Sequence, residues 1–429
     1  MTMTYEEARE YLNQASKKGI ILGLTVMEEL MKRLQNPEQE LSIVHIAGTN
    51  GKGSILAYLE QIFLQAGYST GRYVSPALGA YENRFLINGK GVDSAKIPQI
   101  VEQVKNAAFK MEEETGLTPT VFELETAMAF LCFKEAGSQV VLLETGMGGR
   151  LDGTNVIQNP LLSVIASVSM DHMHVLGNSL SEIAAEKAGI IKEGRDVLLY
   201  PWNHEDVKTV IRSTCIERNS SLYEPDRAKA DIVEENGDGS TFSYKAYDHL
   251  KIFLPGRHQI YNAVTAVEAA ELLKKWYSIK EEDIKEGLKN TRWSGRLEKI
   301  NKSPAIYLDG AHNEDAAKRL SEFIRAHFNG KRILAVTGVL ADKEYEKMMA
   351  QVLPLVSKTA VITPDNQRAL EGSELLKVVE KYCPDCFDAG TIIDGYDWAK
   401  KEAGEEDVVI IFGSLSFHDQ LGGQDGALS

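Results

Sequence analysis

Short, unbroken apolar runs alternate along this chain with longer stretches in which apolar positions recur every three or four residues. The first kind reads as strands buried on both faces and the second as helices, so the alternation predicts a parallel sheet covered by helices, an α/β fold. Residues 42–46, 140–144 and 162–166 are runs of the first kind. After the earliest of them, Ile55, Leu59, Ile62, Phe63 and Ala66 share one helical face, and Gly67 is placed to end the helix. Between about 228 and 255 the pattern shortens around Asn236-Gly237-Asp238-Gly239, which predicts hairpins at the edge of a first domain. A helix over about 259–275 restores the earlier rhythm. Near Trp293-Ser294-Gly295-Arg296 a new series of strands begins, at 305–308, 332–336, 359–362 and 408–412. A boundary there gives domains of 1–295 and 296–429, and the Gly- and Asp-rich tail after Phe417 reads as loose.

Composition adds limits. With 429 residues, 43% hydrophobic and 25% charged, the chain is too long for one ordinary core. The formal net charge of -15 gives no general attraction to nucleic acid or anionic lipid, so an anionic ligand must be held by local donors. The first residues are acidic where a signal peptide needs a basic flank and an apolar stretch, and no apolar run reaches membrane-spanning length; a cytoplasmic protein is expected. Cys132, Cys215, Cys383 and Cys386 are too few for a disulfide framework. Cys383-Pro384-Asp385-Cys386 has redox or zinc spacing but no second Cys/His pair nearby, and reads as a turn with two thiols.

Candidate chemistry sits in the turns. Gly48-Thr49-Asn50-Gly51-Lys52-Gly53-Ser54 joins a buried strand to a helix, where backbone N–H groups and the helix dipole favour phosphate oxygens. Lys52 is placed to reach outer phosphates and Ser54 to reach phosphate or Mg²⁺, although the spacing departs from the general phosphate-loop pattern. An ordinary strand-to-helix turn is the competing reading. Glu144 ends one strand and Asp171-His172 follow the next, so a carboxylate and an imidazole converge at the carboxyl end of the sheet as candidate cation ligands. A hydrogen-bonded structural histidine is the alternative for His172. Ser179-Leu180-Ser181-Glu182 reads as a capping box opening a helix that carries Lys187, which spacing alone gives no reason to single out. Gln259 and Asn262 lie one turn apart at the start of another helix, fit either to read an adenine edge or to cap. Asp309-Gly310-Ala311-His312-Asn313 and Gly413-Ser414-Leu415 follow strands of the second set, which predicts two half-sites meeting across a cleft.

Taken in order, the segments 45–54, 144–152, 186–192, 258–263, 309–313 and 413–415 closely resemble the folylpolyglutamate synthase/dihydrofolate synthase family, a branch of the Mur-type amide ligases, from about Gly19 to Phe417. The resemblance implies a P-loop NTPase-like parallel-sheet domain followed by a smaller Rossmann-like domain that swings to close the cleft. It implies that Lys52 and the amides of Gly48, Thr49, Asn50, Gly51, Gly53 and Ser54 hold the ATP phosphates. It further implies that Ser75, Glu144 and His172 bind Mg²⁺, that Lys187 is carbamylated, and that Lys52, Glu144, His172 and Lys187 carry catalysis. Gln259, Asn262, Arg296 and Asp309 match positions associated with ATP, and His312 and Ser414 positions associated with the incoming glutamate. Phe122 and Glu123, with Thr120, fall on the pterin side, and Asp152 is counted with the substrate. Ala77, in Ser75-Pro76-Ala77-Leu78, stands where many relatives carry a histidine, so a preference for dihydropteroate over reduced folates does not carry across.

The implied reaction moves the γ-phosphoryl of ATP to a folate carboxylate and then lets the amine of L-glutamate displace phosphate. The implied partners are therefore small molecules, with no nucleic acid or membrane, and relatives are monomers. One rival is a ligase acting on a UDP-linked cell-wall precursor; the contiguous 144–155 segment and the short region before the phosphate loop argue against it. The other is a nucleotide-binding protein without catalysis, and no expected catalytic residue is missing.

Overall fold

A computed structural model describes residues 3–19 and 21–421. They form two compact units, one of residues up to Ala230 together with Tyr261–Asn290, the other of Asp231–Ile260 together with Thr291 onward.

The first unit is built on eight strands, β1 (Ile43–Ala47), β2 (Thr70–Tyr73), β3 (Phe85–Ile87), β4 (Lys90–Gly91), β5 (Val140–Glu144), β6 (Leu162–Ile165), β7 (Val197–Leu199) and β8 (Leu222–Tyr223). They lie in the order β4-β3-β2-β5-β1-β6-β7-β8. From β2 to β8 all neighbours are parallel, while β3 and β4 add an antiparallel edge. Every residue of β1, β5 and β6 is buried, which is why these strands read as continuous apolar runs rather than as alternation.

The helix Lys52–Gln65 differs from the one-faced helix expected, because its residues from Gly53 to Glu60 are all buried. The helix Glu281–Asn290 covers the remaining side. Its Gly287 comes so close that a Cβ there would stand 2.6 Å from the Cα of Ile62. Gly67 has φ +83°, a conformation that ends the helix and suits glycine.

The other unit opens with the hairpin strands β9 (Ala230–Asn236), β10 (Gly239–Tyr244) and β11 (Tyr247–Ile252), joined at Gly237-Asp238 as the turn residues predict. These strands group with the later residues, where the sequence pattern placed them at the edge of the first domain. Side chains far apart in the chain hold them there: Lys299 pairs with Asp238 at 2.5 Å, Arg257 with Glu235 at 2.9 Å, and His327 lies 3.9 Å from Glu235.

The second sheet has β12 (Glu298–Asn301), β13 (Ala305–Asp309), β14 (Ile333–Thr337), β15 (Lys358–Ile362), β16 (Cys386–Gly390) and β17 (Val408–Phe412) in the order β12-β13-β17-β14-β15-β16. All its pairings are parallel except the antiparallel edge of β12 on β13. The four cysteines are free thiols, and Cys383 and Cys386 flank the turn that enters β16. The tail expected to be loose begins as a short helix, Phe417–Leu421; residues 422–429 lie outside the described residues. No helix among the described residues is long and apolar enough to cross a membrane.

Candidate active site

The expected phosphate loop, residues 48–54, follows β1, a central strand of the first unit's sheet. Two of its glycines are required by space. A Cβ on Gly48 would stand 2.6 Å from the Cβ of Ala166, and Gly51, at φ +87°, would direct one to 2.7 Å from Asn262 Oδ1. The loop is clasped by the segment after β6: the N–H groups of Thr49 and Asn50 donate to the Ser167 carbonyl at 2.7 and 3.2 Å. The Thr49 hydroxyl donates to the Ser169 carbonyl and accepts from its N–H, both at 3.1 Å. Gly51 caps the helix Lys52–Gln65, whose first turn presents backbone N–H groups and the positive end of the helix dipole. Lys52 Nζ folds back onto the Gly48 and Thr49 carbonyls at 3.0 and 3.4 Å and stands 3.7 Å from the Glu144 carboxylate.

The sheet order sets the ends of β2, β5, β1 and β6 side by side, and with them Ser75, Glu144, the phosphate loop and Asp171-His172. Lys187, near the end of the capped helix Leu180–Ala188, is only 3% exposed. Burial, with the charge of Lys52, pushes its amine down to about 7, against the opposing pull of Asp171 and Asp152. His172 sits at φ +50° and opens the short helix Met173–Leu176, with its ring 3.9 Å from the Asp171 carboxylate. Among the described residues no three His, Cys, Asp or Glu side chains gather as a metal-ligand group.

Around this centre the expected substrate residues have distinct surroundings. Phe122 lies against the loop after β5: a Cβ on Gly146 would meet its ring carbons at 2.7 Å. Glu123 closes a capping box, accepting from the Thr120 N–H at 2.7 Å and hydroxyl at 2.8 Å, and burial raises its carboxyl. Asp152 is buried, a cause that raises its carboxyl too. It accepts from the N–H groups of Met147 and Thr154 at 2.8 and 3.0 Å and from the Thr154 hydroxyl at 2.6 Å. That hydroxyl also meets His45 Nε2 at 2.9 Å, on an imidazole that burial pushes down to about 3. Glu123 and Asp152 are thus engaged in shaping a helix start and a loop.

Gln259 and Asn262 share the helix Arg257–Leu273 and are 1% and 2% exposed; Asn262 is the residue against Gly51. In the second sheet β13 and β17 are parallel neighbours, and their carboxyl ends carry Asp309 and Ser414. Burial raises the Asp309 carboxyl, against the charge of Arg296, while its two oxygens accept from the N–H groups of Leu297 and Ala311, each at 2.9 Å. His312 Nδ1 lies 2.9 Å from the Gly310 carbonyl, which can only accept, so the proton sits on Nδ1. The Ser414 hydroxyl meets that of Ser416 at 2.8 Å and accepts its N–H at 3.2 Å.

Two family models match this chain: the Mur ligase middle domain over residues 46–270 and the Mur ligase glutamate ligase domain over residues 295–415. A Bacillus subtilis protein named dihydrofolate synthase/folylpolyglutamate synthase is 36% identical over 97% of this chain and 98% of its own length. The chain belongs to the folylpolyglutamate synthase/dihydrofolate synthase family. A folylpolyglutamate synthase from Lacticaseibacillus casei is 32% identical over 86% of this chain and 87% of its own. Among solved structures, Mycobacterium tuberculosis folylpolyglutamate synthase complexed with ADP and AMPPCP superposes with a TM-score of 0.90, at 25% identity over 99% of each chain. E. coli FolC in complex with DHPP and ADP gives 0.86, at 26% identity over 97% of each.

Several residues that shape this family's site here carry no signal in the sequence. Ser167 and Ser169 clasp the phosphate loop, and Asn203 holds the strand end beside them, accepting from the Val168 N–H at 2.8 Å and donating to the Ala166 carbonyl at 3.1 Å. Serines and a lone asparagine in turns follow no diagnostic spacing. Asn155 is visible only as the end of a glycine-rich string.

Proposed function

We propose that this chain is an ATP-dependent ligase that joins the amine of L-glutamate to the side-chain carboxylate of a reduced folate through an acyl phosphate. One observation carries the reading: a phosphate loop, Lys52 at 3.7 Å from Glu144, and a buried Lys187 with its amine near 7 belong to one end of one sheet. A carboxylate oxygen is a poor leaving group, so the folate carboxylate first attacks the γ-phosphorus of ATP and ADP departs. The amine of glutamate then adds to the acyl carbon, and phosphate leaves with the electron pair of the broken C–O bond. Lys52 and the loop amides offset charge in the phosphoryl transfer. Gln259, Asn262, Arg296 and Asp309 serve the nucleotide, Phe122 the pterin, and His312 and Ser414 the incoming glutamate.

Ser75, Glu144 and His172 would hold Mg²⁺. This sparse set suits a cation that keeps most of its sites for water and nucleotide oxygens rather than a dedicated protein cage. When bound, it supplies positive charge beside the transferring phosphoryl group. Lys187 is carbamylated in this reading. An amine near 7 is substantially neutral at physiological pH, and only the neutral amine adds CO2, which exchanges a positive charge for a carboxylate-like one. The protein acts as a monomer in the cytoplasm.

A second reading, that dihydropteroate is also accepted, is favoured by the double name of the B. subtilis relative. The test is an ADP-release assay with dihydropteroate, dihydrofolate, tetrahydrofolate and 5,10-methylene-tetrahydrofolate in parallel, each with L-glutamate. Release that needs both a folate and glutamate supports the ligase, and a dihydropteroate signal adds the second activity. No ADP in any row would return the chain to a binding role.

A further inference from the structure

Lys187 is held by contacts that none of the roles above requires. The loop after β5 and the helix Leu180–Ala188 dock through main-chain groups: the Arg150 N–H donates to the Glu186 carbonyl at 2.7 Å. Two glycines make this approach possible. A Cβ on Gly149 would stand 2.8 Å from the carbonyl oxygens of both Glu186 and Lys187, and one on Gly189 would stand 2.3 Å from the Arg150 Cα. Asn155, 3% exposed, spans the junction. Its side-chain amide donates to the Arg150 carbonyl at 3.0 Å and to the Gly189 carbonyl, 34 residues along the chain, also at 3.0 Å. Both partners are carbonyls, so the amide has one workable orientation. Lys192, beyond the end of the helix at Ala188, donates from Nζ to the main-chain carbonyl of Asn155 at 3.0 Å.

We propose that Asn155 and Lys192 are positioning residues, a latch that fixes the last turn of the Leu180–Ala188 helix against the Gly146–Asp152 loop and so sets where the Lys187 side chain ends. The inference rests on the catalytic reading of Lys187 only for its effect on turnover; the latch itself is a statement about where that amine lies. The alternative restraint, the Arg150–Glu186 ion pair at 2.7 Å, has its arginine side chain 57% exposed and is a weak clamp. Asn155 is buried and Lys192 half-buried, and losing either donor removes a hydrogen bond that the exposed ion pair does not replace.

Asn155→Asp keeps the size but removes both donors and sets a carboxylate against two carbonyls. The expected result is a kcat for folate-dependent ADP release lower by about 100-fold, the scale on which small misplacements act, with the KM for ATP changed by no more than about 2-fold. Lys187 acetylation by an amine reagent in CO2-free buffer, followed by peptide mass spectrometry, should speed up at least about 10-fold as the amine gains exposure. Should that variant fail to fold, Lys192→Met and Lys192→Arg carry the same test: the first lowers kcat and speeds labelling, the second keeps a donor and restores both. The latch is overturned by wild-type labelling of Lys187 in Asn155→Asp or Lys192→Met, whatever happens to kcat. Full activity in Lys187→Ala would instead remove the catalytic reading of Lys187, while the labelling rates would still decide for or against the latch.

Discussion

The carboxyl ends of the two sheets solve different problems. In the first unit, a half-buried Lys52, a buried Glu144 and a buried Lys187 on the Leu180–Ala188 helix bring charge into shelter from water, and Lys187 carries a strongly shifted amine. In the second, Asp309, His312 and Ser414 are each turned by a near neighbour, through bonds to the N–H groups of Leu297 and Ala311, the Gly310 carbonyl and Ser416. Buried charges interact strongly and respond to charge that develops in a reaction. Groups oriented by local hydrogen bonds chiefly fix the direction of a bound ligand. The proposed function gives phosphoryl chemistry to the first unit and recognition to the second, a division that the following variants can break.

The largest effect is expected at Lys52. Replacement by alanine removes the cation beside Glu144 and should lower folate-dependent ADP release by about 1,000-fold, the upper range for loss of one charge-stabilising donor. His172→Ala should also abolish turnover. Both variants should keep the wild-type circular dichroism spectrum; near-normal turnover in either would break the assignment of charge chemistry to this end of the first sheet.

Lys187 comes next, with a loss of about 100-fold on change to alanine. Short carboxylates in the buffer should restore part of it if the working group is a carbamate. An intact mass showing an unmodified amine in fully active protein would remove the carbamate. The same residue gives a stability test that needs no substrate. Below pH 7 the amine is protonated in folded and unfolded chains alike, so the penalty of burying a charge is present in full. Between about 7 and the ordinary lysine value near 10.4 only the unfolded chain holds the proton, so stability rises with pH across that window. In CO2-free buffer, where the amine is unmodified, Lys187→Met should therefore raise Tm by about 2–4 °C at pH 6 and by less at pH 9. An equal shift at both pH values would mean that the amine is not perturbed.

Strands were legible because they are buried on both faces. The runs at 42–46 and 140–144 became Ile43–Ala47 and Val140–Glu144, within a residue. The Ser179 capping box and the Gly237-Asp238 turn were legible because their chemistry is local. The all-round burial of the Lys52–Gln65 helix was not, since the helix that covers it begins at Glu281. The grouping of the hairpin strands escaped for the same reason: Glu235 finds Arg257 and His327, and no periodicity reports such pairs. At the site, the glycines and Lys52 announced a phosphate loop. Lys187 showed nothing in spacing, because its character comes from burial beside another lysine, and only the resemblance singled it out. Asp152 and Glu123, which the resemblance places on the substrate side, are bonded to the main chain they organise, a local engagement that the motif match does not report.

The smallest predicted effect tests the recognition half. The Ser414 hydroxyl already has Ser416 as a partner, so its removal leaves no buried charge unpaired. The loss is confined to one neutral hydrogen bond to a ligand, about 1–1.5 kcal/mol, or about 10-fold in an equilibrium constant. Ser414→Ala should raise the KM for L-glutamate by about that factor while kcat and the KM for ATP stay within about 2-fold. A drop in kcat with an unchanged KM for glutamate would mean that this hydroxyl acts in the transition state, and the division between a chemical unit and a recognition unit would fail at the residue chosen to represent it.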